Sequence, residues 1–268
     1  KTIISLPCIT KKDEIDLAFA LDQNVDWIGL SFVRNPNDIV QLRAKIKEEQ
    51  KHARIVAKIE KPEAVANLDE IIEVTDAVMI ARGDLGVEIP MEEVPHIQRE
   101  IIEKCLLSSR PVIVATQMME SMIESSTPTR AEVNDVASAV FEGTDAVMLS
   151  AETSVGKFPV HTVQAMCQII KKAEANNEKA FNERPPYNPD DDRFITDSIC
   201  YNACRLARRT KASAIVAMTY SGYTAMKVSS QRPKAHIFMF TSNKQVLSQM
   251  SLVWGVEAIY YSKMVSTD

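Results

Sequence analysis

Thr75-Asp76-Ala77-Val78-Met79-Ile80-Ala81-Arg82-Gly83-Asp84 decides the fold, because the chain repeats it as Thr144-Asp145-Ala146-Val147-Met148-Leu149-Ser150-Ala151-Glu152. Each copy opens on a hydroxyl and a carboxylate, runs through nearly continuous apolar residues, and closes on polar groups that include a carboxylate. Such an uninterrupted apolar run is the pattern of a strand buried on both faces, the condition of parallel sheets. Working outward, strands are predicted at 25–31, 54–59, 77–81, 112–116 and 146–150. Between them the spacing predicts helices at 13–21, 36–49, 62–73, 95–108 and 128–141. Several open on proline, which suits a first helical turn, and the last closes near Gly143.

Alternation of this kind implies parallel βαβ units. Chemistry repeated at strand ends points to a (β/α)₈ barrel of TIM type, whose site forms at the C-terminal ends of its strands. A doubly wound sheet shows the same alternation and is the competing architecture. Five βα units do not close eight strands, so the expected fold is α/β: the last five units of an incomplete barrel over residues 1–184. Residues 185–193, with their prolines and acidic triplet, read as a linker. Residues 194–268 read as a partial α/β C-terminal domain, with helices at 196–210, 223–231 and 244–254 and strands at 214–219, 237–241 and 256–260. A long helix is expected at 160–184, before the linker.

Composition narrows the chemistry. The seven glycines (Gly29, Gly83, Gly86, Gly143, Gly156, Gly222, Gly255) form neither G-x-G-x-x-G nor a Walker loop, so phosphate must be handled by another route. A net charge of −5 gives no encouragement to nucleic-acid or anionic-membrane binding. No apolar run approaches the roughly 18 residues of a membrane span. Five scattered cysteines without a C-x-x-C suit reduced thiols and a cytoplasmic setting. The four histidines are isolated, and the chain opens on Lys1 as though it were the later part of something longer.

Polar residues concentrate at the strand ends. Lys58 and Glu60 are two apart and leave their strand on one face, bringing an ammonium and a carboxylate together. A structural ion pair is the alternative. Arg82-Gly83-Asp84-Leu85-Gly86 follows the next strand, and two glycines three apart would let the backbone turn tightly into an anion-binding nest. Asp84 beside it, with Glu60, would make a pair of hard oxygen ligands for Mg²⁺ or Mn²⁺. A plain turn with Asp84 as a helix cap is the alternative reading. Thr116 brings a hydroxyl to the same rim, and Ser150 and Glu152 follow on the last strand, where capping explains Ser150 equally well. One lysine, two carboxylates, a nest and a hydroxyl, with no histidine base, suit phosphoryl transfer, where positioning and charge neutralisation carry most of the catalysis.

At these residues the chain resembles a known family. Ala57-Lys58-Ile59-Glu60, Met79 to Glu88, Ala115 to Met122 and Pro128-Thr129-Arg130-Ala131-Glu132 look like consecutive signature blocks of the pyruvate kinases, in that family's order and spacing. The similarity runs from about Leu6 to the end of the chain. It implies transfer of the phosphoryl group of phosphoenolpyruvate to ADP, giving pyruvate and ATP. Carried over, Lys58 would stabilise the phosphoryl group in flight and Glu60 and Asp84 would hold Mg²⁺ or Mn²⁺. The backbone N–H groups of Gly83 and Asp84 would grip the substrate carboxylate. Thr116 would contact the substrate near the enolate carbon, with Ser150 in the proton path. It also implies a sugar-phosphate effector at Thr219-Tyr220-Ser221-Gly222-Tyr223-Thr224, with Thr219, Ser221, Gly222 and Thr224 as contacts. There, an ordinary strand–helix turn capped by Ser221 is the alternative. A homotetramer is implied, with 120–132 near a subunit contact.

Departures from the pattern are Ala151, where the family usually has glycine, and Asn134, where serine is common. The first barrel strands, the K⁺ ligands, an early substrate arginine and the lid domain have no counterpart, so this length of chain alone is expected to have negligible kinase activity. Two other readings compete: a metal-dependent aldolase or lyase acting on pyruvate or phosphoenolpyruvate, and a non-catalytic regulatory or oligomerisation piece.

Overall fold

A computed structural model describes residues 8–176, 184–186 and 188–263. In chain order its elements are α1 (Lys11–Asp22), β1 (Trp27–Leu30), α2 (Pro36–Glu48), β2 (Arg54–Ile59), α3 (Pro62–Ala66), α4 (Leu68–Val74), β3 (Ala77–Ala81), α5 (Arg82–Glu88), α6 (Val94–Leu107) and β4 (Val112–Ala115). There follow α7 (Arg130–Glu142), β5 (Ala146–Met148), α8 (Ala151–Ser154) and α9 (Pro159–Asn176). After the acidic stretch come α10 (Phe194–Thr210), β6 (Ala214–Met218), α11 (Tyr223–Ser230), β7 (His236–Thr241), α12 (Lys244–Gln249) and β8 (Val256–Tyr260).

Strands β1 to β5 form one five-stranded sheet in sequence order, every neighbouring pair parallel. Strands β6 to β8 form a second parallel sheet. Sequential parallel order with a helix after each strand is the run of βα units that an incomplete barrel requires, and it excludes the order reversal of a doubly wound sheet. Among the described residues no helix is long and apolar enough to cross a membrane.

Strand alternation sorts the side chains of the first sheet. Ile55, Ala57, Ile59, Val78, Ile80, Val112 and Val114 face the helices and pack with Ile39, Leu68, Ile71, Ile101 and Leu106 in the main core. Burying each large aliphatic side chain there contributes about 1.5–3 kcal/mol. The opposite face carries Val56, Ala77 and Ile113, against which Leu252 of the second unit packs. Lys58, two residues beyond Val56, therefore lies on this inner face.

The second unit meets the first at the N-terminal ends of the strands. Arg54, which opens β2, donates to Ser221 O at 2.8 Å. Arg232 donates to Gly143 O at 2.6 Å and pairs with Asp145, just before β5, at 2.8 Å. Asp145 also accepts the backbone N–H groups of Trp254 and Val112, each at 3.0 Å. Among the described residues these contacts lie at the end of the sheet away from the rim where Lys58 and Glu60 sit.

Three expectations about elements change. The helix expected at 62–73 is two helices, broken at Asn67, whose side-chain amide donates to Glu63 O and Arg34 O. The helix expected at 244–254 ends at Gln249 and continues only as a tighter 3₁₀ turn, because Asp145 holds the Trp254 N–H outside it. The glycine turn expected at 83–86 is the helix α5, in which neither glycine has positive φ. The end of the helix expected at 160–184 falls partly outside the described residues, as does Tyr187 of the linker.

Candidate functional site

Strand β2 delivers Lys58 and Glu60 to the C-terminal rim as the alternation requires. Lys58 Nζ lies 2.6 Å from Glu60 Oε1 and donates to Ser31 Oγ at 2.9 Å. Glu60 is 1 % exposed, and its Oε2 accepts the Phe32 N–H at 2.7 Å. Its Oε1 has the Lys58 ammonium for countercharge but accepts no well-aligned hydrogen bond. A buried carboxylate oxygen with spare capacity beside a cation is costly in a purely structural role and suits a site that takes up further charge.

Neighbouring β3 ends at Ala81, and α5 starts at once, so Gly83 and Asp84 lie in a helical first turn whose N–H groups have no intrahelical partner. The backbone donors expected of a nest are therefore present, supplied by a helix start. Asp84 is exposed and makes no side-chain hydrogen bond among the described residues, nor does it cap the helix, whose N-cap is Ala81. The Gly83 N–H donates to Thr116 Oγ1 at 2.7 Å, and Thr116 Oγ1 in turn donates to Ala115 O at 2.6 Å. Two groups expected to meet the substrate thus satisfy one another.

Thr116 and Gln117 have φ of +71° and +54°, two successive left-handed residues without glycine. Such conformations cost on the order of 1–3 kcal/mol each and persist only where neighbours over-determine them. Here Arg82 does so. Its Nε and Nη2 donate to Thr116 O at 3.3 and 2.8 Å, and its Nη1 and Nη2 make a bidentate pair with Asp135 of α7 at 2.8 and 2.7 Å.

Ser150 is exposed and occupies the cap position of α8 without a side-chain cap bond; its N–H donates to Glu152 Oε2 at 2.7 Å. Glu152, 3 % exposed, also accepts the Met119 N–H, tying the loops after β4 and β5 together. In the second unit Thr219 Oγ1 accepts the Gly222 N–H at 3.0 Å, and Gly222, not Ser221, is the N-cap of α11, with φ +83°. Thr224 lies in the first turn of that helix.

The sequence reading passed over Ser31, Arg82 and Asp135. Ser31 follows Leu30, which is in register with Ala57, so it stands beside Lys58; equal numbering from the strand ends would have found it. A cleft of about 1230 Å³ lies between α7, α9 and the second sheet, lined by Arg99, Arg184, Arg232, His236 and Trp254 among others, and none of the predicted site residues lines it.

Comparison with known proteins gives the family. Residues 1–163 match the family described as pyruvate kinase, barrel domain, and residues 197–268 match pyruvate kinase, alpha/beta domain. The chain belongs to the pyruvate kinase family. The pyruvate kinase of Corynebacterium efficiens is 46 % identical over 265 residues, which is 99 % of this chain and 55 % of that protein. That of Geobacillus stearothermophilus is 46 % identical over 256 residues, 94 % of this chain and 43 % of the relative. A solved pyruvate kinase from Cryptosporidium parvum superposes with a TM-score of 0.91 at 36 % identity, covering 97 % of this chain and 54 % of that one. The chain spans about half the length of the pyruvate kinases it matches. Family membership disfavours the aldolase or lyase alternative and establishes the barrel as the architecture of the first sheet.

Proposed function

We infer that this chain carries the lysine, carboxylate and backbone-donor part of a pyruvate kinase site, which moves the phosphoryl group of phosphoenolpyruvate to ADP. The observation that carries the reading is the Lys58–Glu60 contact of 2.6 Å on the inner face at the strand C-termini. The donor set fits a hard divalent cation: Glu60 has a buried oxygen with spare capacity, and Asp84 on the next strand end is exposed, with no side-chain hydrogen bond among the described residues. Among the described residues no three His, Cys, Asp or Glu side chains gather into a metal cluster. Two carboxylates with the remaining positions left to water and substrate oxygens is the arrangement Mg²⁺ and Mn²⁺ favour. Bound there, such a cation would neutralise charge on the substrate's phosphoryl and carboxylate oxygens.

The chain's own residues supply the rest. Lys58 would leave Glu60 and face the equatorial oxygens of the phosphoryl group as the P–O bond to the enolate breaks and the bond to ADP forms. Gly83 and Asp84 N–H groups would hold the carboxylate. The Thr116 hydroxyl would stand over the enolate carbon, which takes up a proton to give pyruvate, and Ser150 would lie on the proton's path. K⁺, a sugar-phosphate effector at Thr219, Ser221, Gly222 and Thr224, and a homotetramer belong to the same reading.

Calorimetric titration of the chain with Mn²⁺ tests it. Binding is expected for the unmodified chain and lost in the Glu60→Gln, Asp84→Asn double variant; equal binding by both would sink the reading and leave a non-catalytic role.

A further inference from the structure

The Arg82 guanidinium spans two elements: one edge forks onto Asp135 of α7, and the other chelates the single carbonyl of Thr116 at the end of β4. Arg82 and Thr116 are next-door residues in the ladder, each following the registered pair Ala81 and Ala115. The carbonyl so gripped joins two left-handed residues, Thr116 and Gln117. From that backbone the Thr116 hydroxyl reaches the Gly83 N–H at 2.7 Å. A Cβ on residue 83 would stand 3.4 Å from the same oxygen, in ordinary contact with it.

We propose that Arg82, anchored by Asp135, is a positioning residue that fixes the Thr116 backbone so that the Thr116 hydroxyl occupies the Gly83 N–H in place of a substrate carboxylate. Its importance for phosphoryl transfer rests on the reading of Gly83 and Thr116 given above. With the backbone held by Arg82, an arriving carboxylate exchanges one oxygen for another on Gly83 N–H. Only the Thr116 side chain then has to turn, which releases its hydroxyl hydrogen from Ala115 O toward the ligand. A lysine offers no planar fork, so it can hold the carbonyl or Asp135 but not both in one plane.

Amide hydrogen exchange on the 268-residue chain reads this without turnover, since local opening sets the exchange rate. In Arg82→Met the Gly83 amide is expected to exchange about tenfold faster or more, with the Val78 and Ile80 amides of β3 unchanged. Asp135→Asn should give a smaller rise and Arg82→Lys a partial rescue, whereas Thr116→Val, which removes the acceptor outright, should match Arg82→Met. Gly83 exchange unaltered in Arg82→Met overturns the proposal, as does a rise shared equally by β3, which would mean a general structural role. Adding phosphoenolpyruvate with Mn²⁺ should restore Gly83 protection in Thr116→Val. If it does not, while Arg82→Met still exposes Gly83, the positioning holds and the substrate reading fails. Restored protection with an indifferent Arg82→Met is the converse.

Discussion

Arg232 and Asp145 form an ion pair at 2.8 Å with both side chains 4 % exposed, and it joins the two sheets. Asp145 is the carboxylate that opens the second copy of the repeated strand sequence, so the residue just before β5, whose side chain accepts the N–H that opens β4, also receives the second unit. Removing one member of such a pair leaves a buried charge uncompensated, at about 3–5 kcal/mol. Arg232→Met is therefore expected to lower the unfolding free energy by about that amount in urea titration. The Arg232→Met, Asp145→Asn double variant should fall well short of the sum of the two singles. Additive losses would mean the pair carries no coupling.

Glu132 should confer acid sensitivity. Burial pushes its carboxyl up, but hydrogen bonds from the Ser121 hydroxyl and N–H and from Thr129 outweigh this and hold it below the ordinary value of 4.5. A depressed carboxylate adds stability that is present above its unfolded pKa and lost as pH falls through the folded one. Glu132→Gln should therefore destabilise the chain at about pH 7, and the gap between variant and parent should close below about pH 4. A gap constant across that range in thermal melts would contradict this.

Thiol reactivity should be confined to one residue. Cys167 is exposed on α9, whereas Cys105, Cys200 and Cys204 are buried. Burial, with Asp197 adding to it, pushes Cys200 up to about 11, and burial pushes Cys204 to about 12 and Cys105 well upward. Cys8 is half-buried and raised to about 11 by burial and by Asp38. Since the thiolate is the nucleophile, a colorimetric disulfide reagent should titrate one fast thiol per native chain and all five only after unfolding. Cys167→Ser should abolish the fast phase.

Gly222 and Gly29 should differ in their tolerance of alanine. At Gly222 φ is +83°, and an added Cβ would lie 2.9 Å from Met250 Cε and 3.0 Å from Val246 Cγ1. Strain and overpacking together predict a loss of about 1–3 kcal/mol. At Gly29 the nearest atom would be Lys58 Cδ at 3.9 Å, so Gly29→Ala should stay within about 0.5 kcal/mol. Chemical denaturation of both variants checks the contrast.

What could be read from the chain followed the physics of each element. The bounds of β2 and β3 match expectation because continuous apolar runs between turn residues leave few alternatives. The same-face placement of Lys58 and Glu60 followed from strand period alone. Asn67 and Trp254 broke expected helices through a side-chain competitor and a distant carboxylate, and neither effect is carried by local pattern. Gly83 suggests a turn because glycine permits one; in the fold it is a helical residue whose N–H donates to Thr116. Arg82 lay within the sequence block that suggested the site, yet its partners Thr116 and Asp135 come from later βα units, and only the register of β3 with β4 brings them together.

Lys58→Met should make stability depend on Mn²⁺. In the unmodified chain the Lys58 ammonium is the countercharge to a carboxylate that is 1 % exposed. Deleting it leaves Glu60 with the Phe32 N–H as its one described hydrogen-bond partner, and the expected cost is about 3 kcal/mol or more. A divalent cation that binds the folded chain and not the unfolded one returns about 2.7 kcal/mol at a hundredfold excess over its Kd. Because Lys58 no longer competes for Glu60, Lys58→Met should gain more from millimolar Mn²⁺ than the unmodified chain does, while Glu60→Gln should gain nothing. Thermal melts with and without Mn²⁺ measure all three. If Mn²⁺ raised the melting temperature of Glu60→Gln as much as that of Lys58→Met, the cation would be binding elsewhere, and the pair would be a structural bridge on the inner face of the sheet.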